Sequence, residues 1–474
     1  MRFLFKNKTS TNILFYFAYQ IIIYLIPFLI APFLTRTLQE TSLGNFTFSN
    51  SIAYYFVILA NLGIAKYGQR EISTSSPENI KKRFWSLFVD HLFSSVFAHI
   101  VFTVVILAYF KNQSNIYFPC VLYVLSALFD VSWLFFGLEE FKKVTIINGF
   151  FAFIKMFLVF LLVKNQNSLL IYQILYYGAF LLSNLTLFII ACRRMGRPSV
   201  TLSDCLKHIK PLLFFLLIVA AISLYTIFDK TLVGIFLNKE SVAFYEYADR
   251  IIAIPKMLIL TVGTVLFPKM CSLEAKNDSE KTTKIHKISL FFVFSIGFAS
   301  IFGILSIGQE LVTLYYGNNF SLSGLYVVYM SPLILIVSLG DIFRTQFIIP
   351  KKKDYFYLFS VVMNASLNLL ISFILIKPLG VLGVIIGTIV AEFIGCLIQI
   401  IYCKKYTDIN AIGKYSLYFI IVGFGMFAFL RGLSNLIPFE GIWKYLILFA
   451  CGVFIYSVPT LVLLRRERKN VWKI

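Results

Sequence analysis

Charged side chains are scarce: they make up 14% of 474 residues, against roughly 25% in a soluble domain. With 59% hydrophobic residues and a mean hydropathy of +0.84, that scarcity excludes an ordinary soluble globule. Signature motifs are missing as well. There is no GxxxxGK[ST], so no P-loop binds and hydrolyses ATP, and there is no GxSxG, HExxH or paired-carboxylate loop. Four histidines and seven scattered cysteines show no CxxC and no metal-ligand spacing, so no metal centre or cofactor is expected and the thiols should be free. Large extramembrane loops are also lacking. A membrane glycosyltransferase or polysaccharide polymerase would be expected to carry a large outer catalytic loop; the chain is therefore not expected to be an enzyme. The first apolar run, about 23 residues, is too long for the apolar core of a cleaved signal peptide.

What is present is apolar sequence in bilayer-length pieces. Runs of about 20 residues, enough to cross hydrocarbon as a helix, fall near 12–35, 46–65, 84–110, 116–138, 144–163, 169–191, 209–236, 241–268, 288–308, 323–349, 355–376, 379–402, 414–430 and 442–464. The expected fold is an all-α polytopic membrane protein with about fourteen transmembrane helices. Lys and Arg collect on the cytoplasmic side of membranes. With both termini cytoplasmic, 31 of the 43 basic residues lie in inner segments and 7 in outer loops. Clusters such as Lys81-Lys82-Arg83 and Lys351-Lys352-Lys353 carry the bias. This pattern accounts for the net charge of +21 without nucleic acid.

A shift of 199 residues aligns the turn Leu38-Gln39-Glu40-Thr41-Ser42-Leu43 with Leu237-Asn238-Lys239-Glu240-Ser241-Val242. Six helices lie between the two turns, so the halves run the same way through the membrane. Parallel repeats of this kind hold substrate between them. The expected organisation is a six-helix bundle over 1–200, a pseudo-symmetric second bundle over 201–405, and two added helices with a basic tail over 406–474.

Charge within the apolar runs marks a candidate site, because a charged group in hydrocarbon costs several kcal/mol unless it meets water, a partner or protein. Asp229 and Lys230 lie in one run; Glu246, Asp249, Arg250 and Lys256 lie in the next; Arg36 closes the outer end of the repeat-related first run. Glu246 and Arg250 are one helical turn apart and can pair. The functional reading is a basic, hydrated cavity for an anionic group, with Arg36, Lys230, Arg250 and Lys256 as its cations. The plainer reading is ion pairing that holds helices together. Asp341 and Arg344 are expected to pair, and Lys155 and Glu392 are single charges open to either role. Asp90 and His91 are expected to snorkel to the interface, and Trp133 to anchor there. Pro27, Pro32 and Pro255 mark helix bends, while Gly380, Gly383 and Gly387 permit close helix contact.

Several stretches together resemble the polysaccharide and O-antigen flippases of the multidrug/oligosaccharidyl-lipid/polysaccharide exporter superfamily. They are Pro32-Phe33-Leu34-Thr35-Arg36, Leu43-Gly44-Asn45-Phe46, Asn61-Leu62-Gly63-Ile64 with Arg70-Glu71, Asp229-Lys230, Tyr245-Glu246-Tyr247-Ala248-Asp249-Arg250 and Tyr316-Gly317. The resemblance implies two six-helix bundles about a central cavity, alternating access, and transfer of an oligosaccharide on undecaprenyl diphosphate from the cytoplasmic to the outer leaflet of a bacterial inner membrane. It implies that Arg36, Lys230, Arg250 and Lys256 meet the diphosphate. Without an ATP site, an ion gradient or a polysaccharide polymerase partner that removes product would drive transfer, with Asp229 or Asp249 as the titrating group in a proton-coupled scheme. Fourteen spans, rather than the twelve common in O-antigen flippases, are also the number in peptidoglycan-precursor flippases. The alternative is an ion-coupled exporter of small cationic drugs, in which acids rather than bases should dominate the cavity.

Overall fold

Hydrocarbon offers no partners for backbone polar groups, so a chain this apolar must close its hydrogen bonds within helices. The structure, a computed structural model, describes residues 8–197, 200–438 and 441–470. No strand occurs among them. The helices are α1 (Lys8–Thr37), α2 (Glu40–Asn61), α3 (Ile64–Ser73), α4 (Ile80–Tyr109), the short α5 (Ser114–Tyr117), α6 (Cys120–Leu128) and α7 (Ser132–Gly137), then α8 (Phe141–Leu162) and α9 (Leu169–Met195). They continue as α10 (Leu202–Phe236), α11 (Lys239–Ala275), α12 (Ser279–Tyr316), α13 (Ser321–Met330), α14 (Pro332–Phe343), α15 (Asp354–Leu379), α16 (Val381–Cys403), α17 (Ile409–Leu436) and α18 (Ile442–Asn470). Among the described residues, ten helical stretches are long and apolar enough to cross a membrane. Counting the bent stretch through α13 and α14 as one span gives eleven.

Two runs expected as continuous helices are broken, and local chemistry explains both. The run at 116–138 divides into α5, α6 and α7. Pro119 precedes α6, and the Asp130 carboxylate accepts the Ser132 amide at 3.0 Å, a side-chain turn that competes with helix. The run at 323–349 bends by 46° where Pro332, which has no amide hydrogen, opens α14. Pro27 and Pro32, in contrast, sit inside the unbroken α1.

The 199-residue repeat reappears in helix ends. Helices α1 and α10 stop at Thr37 and Phe236, α2 and α11 start at Glu40 and Lys239, and α4 and α12 start at Ile80 and Ser279. The two equivalent turns also touch. Thr41 donates to the Glu240 carboxylate at 2.5 Å, and Gly44 presses on the Lys239 carbonyl so closely that a Cβ would not fit.

By contacts the chain divides into two compact units, Met1–Ala243 and Phe244–Ile474. In the first, α1 packs on α8, α2 on α4 and α6, and α9 on α6 and α8. Helix α10, which the sequence reading places in the second bundle, packs here on α2, α3 and α4. The core of this unit includes Tyr67, Phe84, Phe88, Trp133 and Leu187. Trp133 is only 1% exposed and stands against Gly68, so it is a core residue and not an interfacial anchor. Asp90 and His91 do not snorkel either: both are buried, and His91 Nε2 lies 2.7 Å from the Ala127 carbonyl. All seven cysteines are free.

The second unit is built on α12, which contacts α13, α14, α17 and α18, together with the tightly packed pair α15 and α16. Gly383, Gly387 and Gly395 of α16 abut Leu375, Ser372 and Asn364 of α15, each too near to admit a Cβ. Small residues let two apolar helices approach until their backbones touch, which is how helices associate without a hydrophobic driving force.

Gly387→Leu must therefore separate α15 from α16, at a cost of about 1–3 kcal/mol or more. The expected outcome is a lower thermal unfolding midpoint for the detergent-solubilised protein. Gly178→Leu on α9, where nothing lies within 4 Å of an added Cβ, should melt with the wild type.

Candidate functional site

The sequence-derived candidates fall in both units. In the first, Arg36 ends α1 and is exposed, while Asp229 is buried and Lys230 half-buried on α10. The next residue along, Thr231, shares a 3.0 Å hydrogen bond with the Tyr55 hydroxyl of α2. Lys155 of α8 is 8% exposed, its ammonium 4.8 Å from the Tyr176 ring and 5.8 Å from the Phe180 ring. Aromatic faces stabilise a desolvated cation, so this lysine belongs with the intramembrane charges.

In the second unit the helix places charges of opposite sign in register. Arg250 Nε donates to Glu246 Oε1 at 2.7 Å, the pairing expected one turn apart, and its guanidinium lies 4.7 Å from the Tyr247 ring. Tyr247 in turn meets Tyr316 edge to face, with ring centres 5.1 Å apart. Lys256 reaches back seven residues to Asp249, Nζ to Oδ1 at 3.4 Å. Both pairs are partly open, with side-chain exposures of 20% and 13% for Arg250 and Glu246, and 19% and 33% for Lys256 and Asp249.

The structure adds members that spacing alone did not connect. Glu392, buried on α16, feels the charges of both Arg344 and Lys256, and the Asn364 amide donates to it at 3.4 Å. Arg344 lies 3.8 Å from Asp341, as expected for positions three apart. The carboxylate of Asp341 also faces α11, where a Cβ at Gly263 would meet it at 2.8 Å. Acids and bases thus recur along the apolar helices of this unit: Glu246, Asp249, Asp341 and Glu392 with Arg250, Lys256 and Arg344. Four carboxylates with three cations give this unit no surplus of base. In the first unit Arg36, Lys155 and Lys230 accompany Asp229. The sequence reading named Glu392 as a single charge but not its partners, which lie on other helices. Its signal was a lone acid in an otherwise apolar run.

The arrangement can exchange partners. A cation held by a carboxylate on its own helix can release it for an incoming anion, and oxygen-rich ligands can be met by Asn364, whose amide donates to Glu392, and by Asn368, whose amide donates to the Thr388 hydroxyl between α15 and α16. Among the described residues no group of His, Cys, Asp and Glu could hold a metal ion.

A putative O-antigen transporter of Shigella dysenteriae is 27% identical over 394 residues, spanning 80% of this chain and 96% of its own. A second putative O-antigen transporter, from Escherichia coli strain K12, is 23% identical over 389 residues, 80% of this chain and 92% of its own. The solved structure of the lipid II flippase MurJ in an inward-closed conformation shares the fold, with a TM-score of 0.71 at 16% identity over 96% of this chain and 99% of that one. The sequence of residues 10–274 matches the polysaccharide biosynthesis protein family. A multi-pass helical membrane protein matched over more than half its length, this chain belongs to the polysaccharide biosynthesis protein family.

Proposed function

We propose that this protein is a flippase that moves an oligosaccharide linked to undecaprenyl diphosphate from the cytoplasmic to the outer leaflet of a bacterial inner membrane, and that it is not an enzyme. The observation that carries this reading is the similarity to an O-antigen transporter along 80% of the chain and 96% of that relative. Physical chemistry requires such a protein. A diphosphate carries about two negative charges, and sugars many hydroxyls, so neither enters hydrocarbon without partners. Intramembrane cations answer the first need and buried amides and hydroxyls the second.

In this scheme the chain has fourteen spans and two repeated halves with both termini in the cytoplasm, and it works by alternating access. Arg36, Lys230, Arg250 and Lys256 meet the diphosphate. Arg250 and Lys256 are held meanwhile by Glu246 and Asp249, and the substrate displaces those carboxylates. Asp229 and Asp249 are the acids placed to exchange a coupling ion. A polysaccharide polymerase that consumes product outside would keep transfer running forward. Export of cationic drugs would call for acids to dominate; the named groups are Arg36, Lys155, Lys230, Arg250, Lys256 and Arg344 with Asp229, Glu246, Asp249, Asp341 and Glu392, so acids do not.

Two outcomes are expected. In cells lacking the native flippase, Arg250→Ala and Lys256→Ala should each lower surface polysaccharide by about tenfold or more, because a lost charged contact is worth about 1.5–3 kcal/mol. Arg431→Ala, which removes an exposed pair with Glu310, should restore it fully at equal expression. Full restoration by both site variants would remove these cations from the substrate path. For topology, in a background without native cysteines, Lys164→Cys should react with a membrane-impermeant maleimide in intact cells and Lys353→Cys only after permeabilisation. The reverse pattern would invert the protein.

A further inference from the structure

The second unit carries a polar cavity lined by none of the residues proposed above for the transport path. It occupies about 410 Å³ where α11 ends and α12 and α17 begin, and Glu274, Lys351, Lys405, Tyr406, Thr407 and Asp408 are among its lining residues. Under the topology proposed above, this is the level of the inner-leaflet headgroups. Tyr355, 91% exposed at the start of neighbouring α15, stands at the same end of the unit.

The lining itself balances Lys351 and Lys405 against Glu274 and Asp408, and the surplus of positive charge lies in the segments around it. The segments 274–287, 350–354 and 403–408 hold nine lysines against five carboxylates. Most of those carboxylates are committed. Lys351 Nζ lies 2.7 Å from both oxygens of Glu274, Lys287 lies 2.7 Å from Asp408, and Lys281 lies 2.7 Å from Asp278. The hydrogen bonds from Lys287 and Lys281 hold the Asp408 and Asp278 carboxyls below the ordinary carboxylate range, so they stay ionised and engaged. Lys276, Lys352, Lys353, Lys404 and Lys405 remain exposed around the opening. Tyr406 is no open stacking platform for a sugar. Lys351 covers its ring at 4.3 Å, Lys405 lies 5.0 Å from it, and Phe347 stacks on it with ring centres 6.2 Å apart.

The first turns of α12 and α17 both open on the cavity through Ser279 and Asp408, but the Asp278 and Asp408 carboxylates already cap them by accepting the Lys281 and Ala411 amides. One further feature points inward. The Thr407 hydroxyl, a lining group, is shut off from solvent and has no hydrogen-bond partner in the protein. A buried polar atom without a partner costs about 1–3 kcal/mol, which a ligand oxygen would relieve.

We propose that this cavity binds a phosphate group, supplied by the headgroup of an anionic phospholipid of the inner leaflet. Lys351 and Lys405 contact the phosphate, and Thr407 hydrogen-bonds to an ester or headgroup oxygen. Glu274 competes with the lipid for Lys351. The bound lipid joins the end of α11 to the loop before α15 and the start of α17. Binding is independent of what the protein transports.

The test uses the full chain in nanodiscs of phosphatidylcholine with phosphatidylglycerol, with retained lipid measured by mass spectrometry after detergent extraction. Phosphatidylglycerol should be enriched. The double variant Lys351→Gln/Lys405→Gln should lower its retention about tenfold, and Thr407→Val about threefold. Glu274→Gln should raise retention, because it frees Lys351. Glu280→Gln makes the same change of charge outside the cavity and should not. Equal retention of both lipids, or an equal gain from Glu280→Gln and Glu274→Gln, would overturn the site in favour of diffuse attraction. If inorganic phosphate binds in phosphatidylcholine discs through the same lysines while phosphatidylglycerol is not enriched, the lipid is overturned as the source. Should the double variant fail to fold, the opposed effects of Glu274→Gln and Thr407→Val still decide the matter.

Discussion

The cost of placing charge in hydrocarbon governs this molecule. Each ionised group within an apolar helix must find water, an opposite charge or an aromatic face. The second unit solves the problem with a string of acids and bases in which Arg250 holds Glu246, Lys256 holds Asp249, and Glu392 lies in the field of both Lys256 and Arg344. The first unit uses rings, as at Lys155. Such pairs are poor sources of stability, since desolvation cancels much of their attraction. Their persistence in otherwise apolar helices is therefore not explained by stability, and the flippase proposal gives them a role as exchangeable contacts.

Backbone geometry provides the scaffold for those charges. Gly383 and Gly387 bring α15 and α16 into backbone contact and Gly395 makes room for the Asn364 side chain, which fixes where Asn364, Asn368 and Glu392 project. The breaks at Pro119, Asp130 and Pro332 fall in corresponding spans of the two halves. A broken helix exposes backbone groups that must be satisfied inside protein or by water, so these positions are suited to motion or ligand contact in a way that a straight span is not.

Much of this was legible in the chain. Apolar runs located the helices, and the turn at Leu38 foretold its twin at Leu237 because the helix boundaries repeat at the same interval. The Glu246–Arg250 and Asp341–Arg344 pairs followed from helical spacing. Contacts between distant helices were not legible. Nothing local to Glu392 indicates Lys256, and nothing local to Trp133 indicates that Gly68 makes room for it in a core. Asp90 and His91 looked interfacial from their place near a helix start, yet neighbouring helices cover both. Even the continuity of the 116–138 run depended on Pro119 and on one aspartate side chain capturing a backbone amide.

The central claim is that the protein itself carries a lipid-linked anion across the bilayer. The most direct measurement is transfer of undecaprenyl-diphosphate-linked oligosaccharide in liposomes containing the purified chain, scored by how much of it becomes accessible to an external glycosidase. The account predicts that the protected, inner-leaflet fraction becomes accessible in sealed vesicles carrying the protein and stays protected in protein-free vesicles. Equal accessibility in both, with the protein folded and the vesicles sealed, would contradict it.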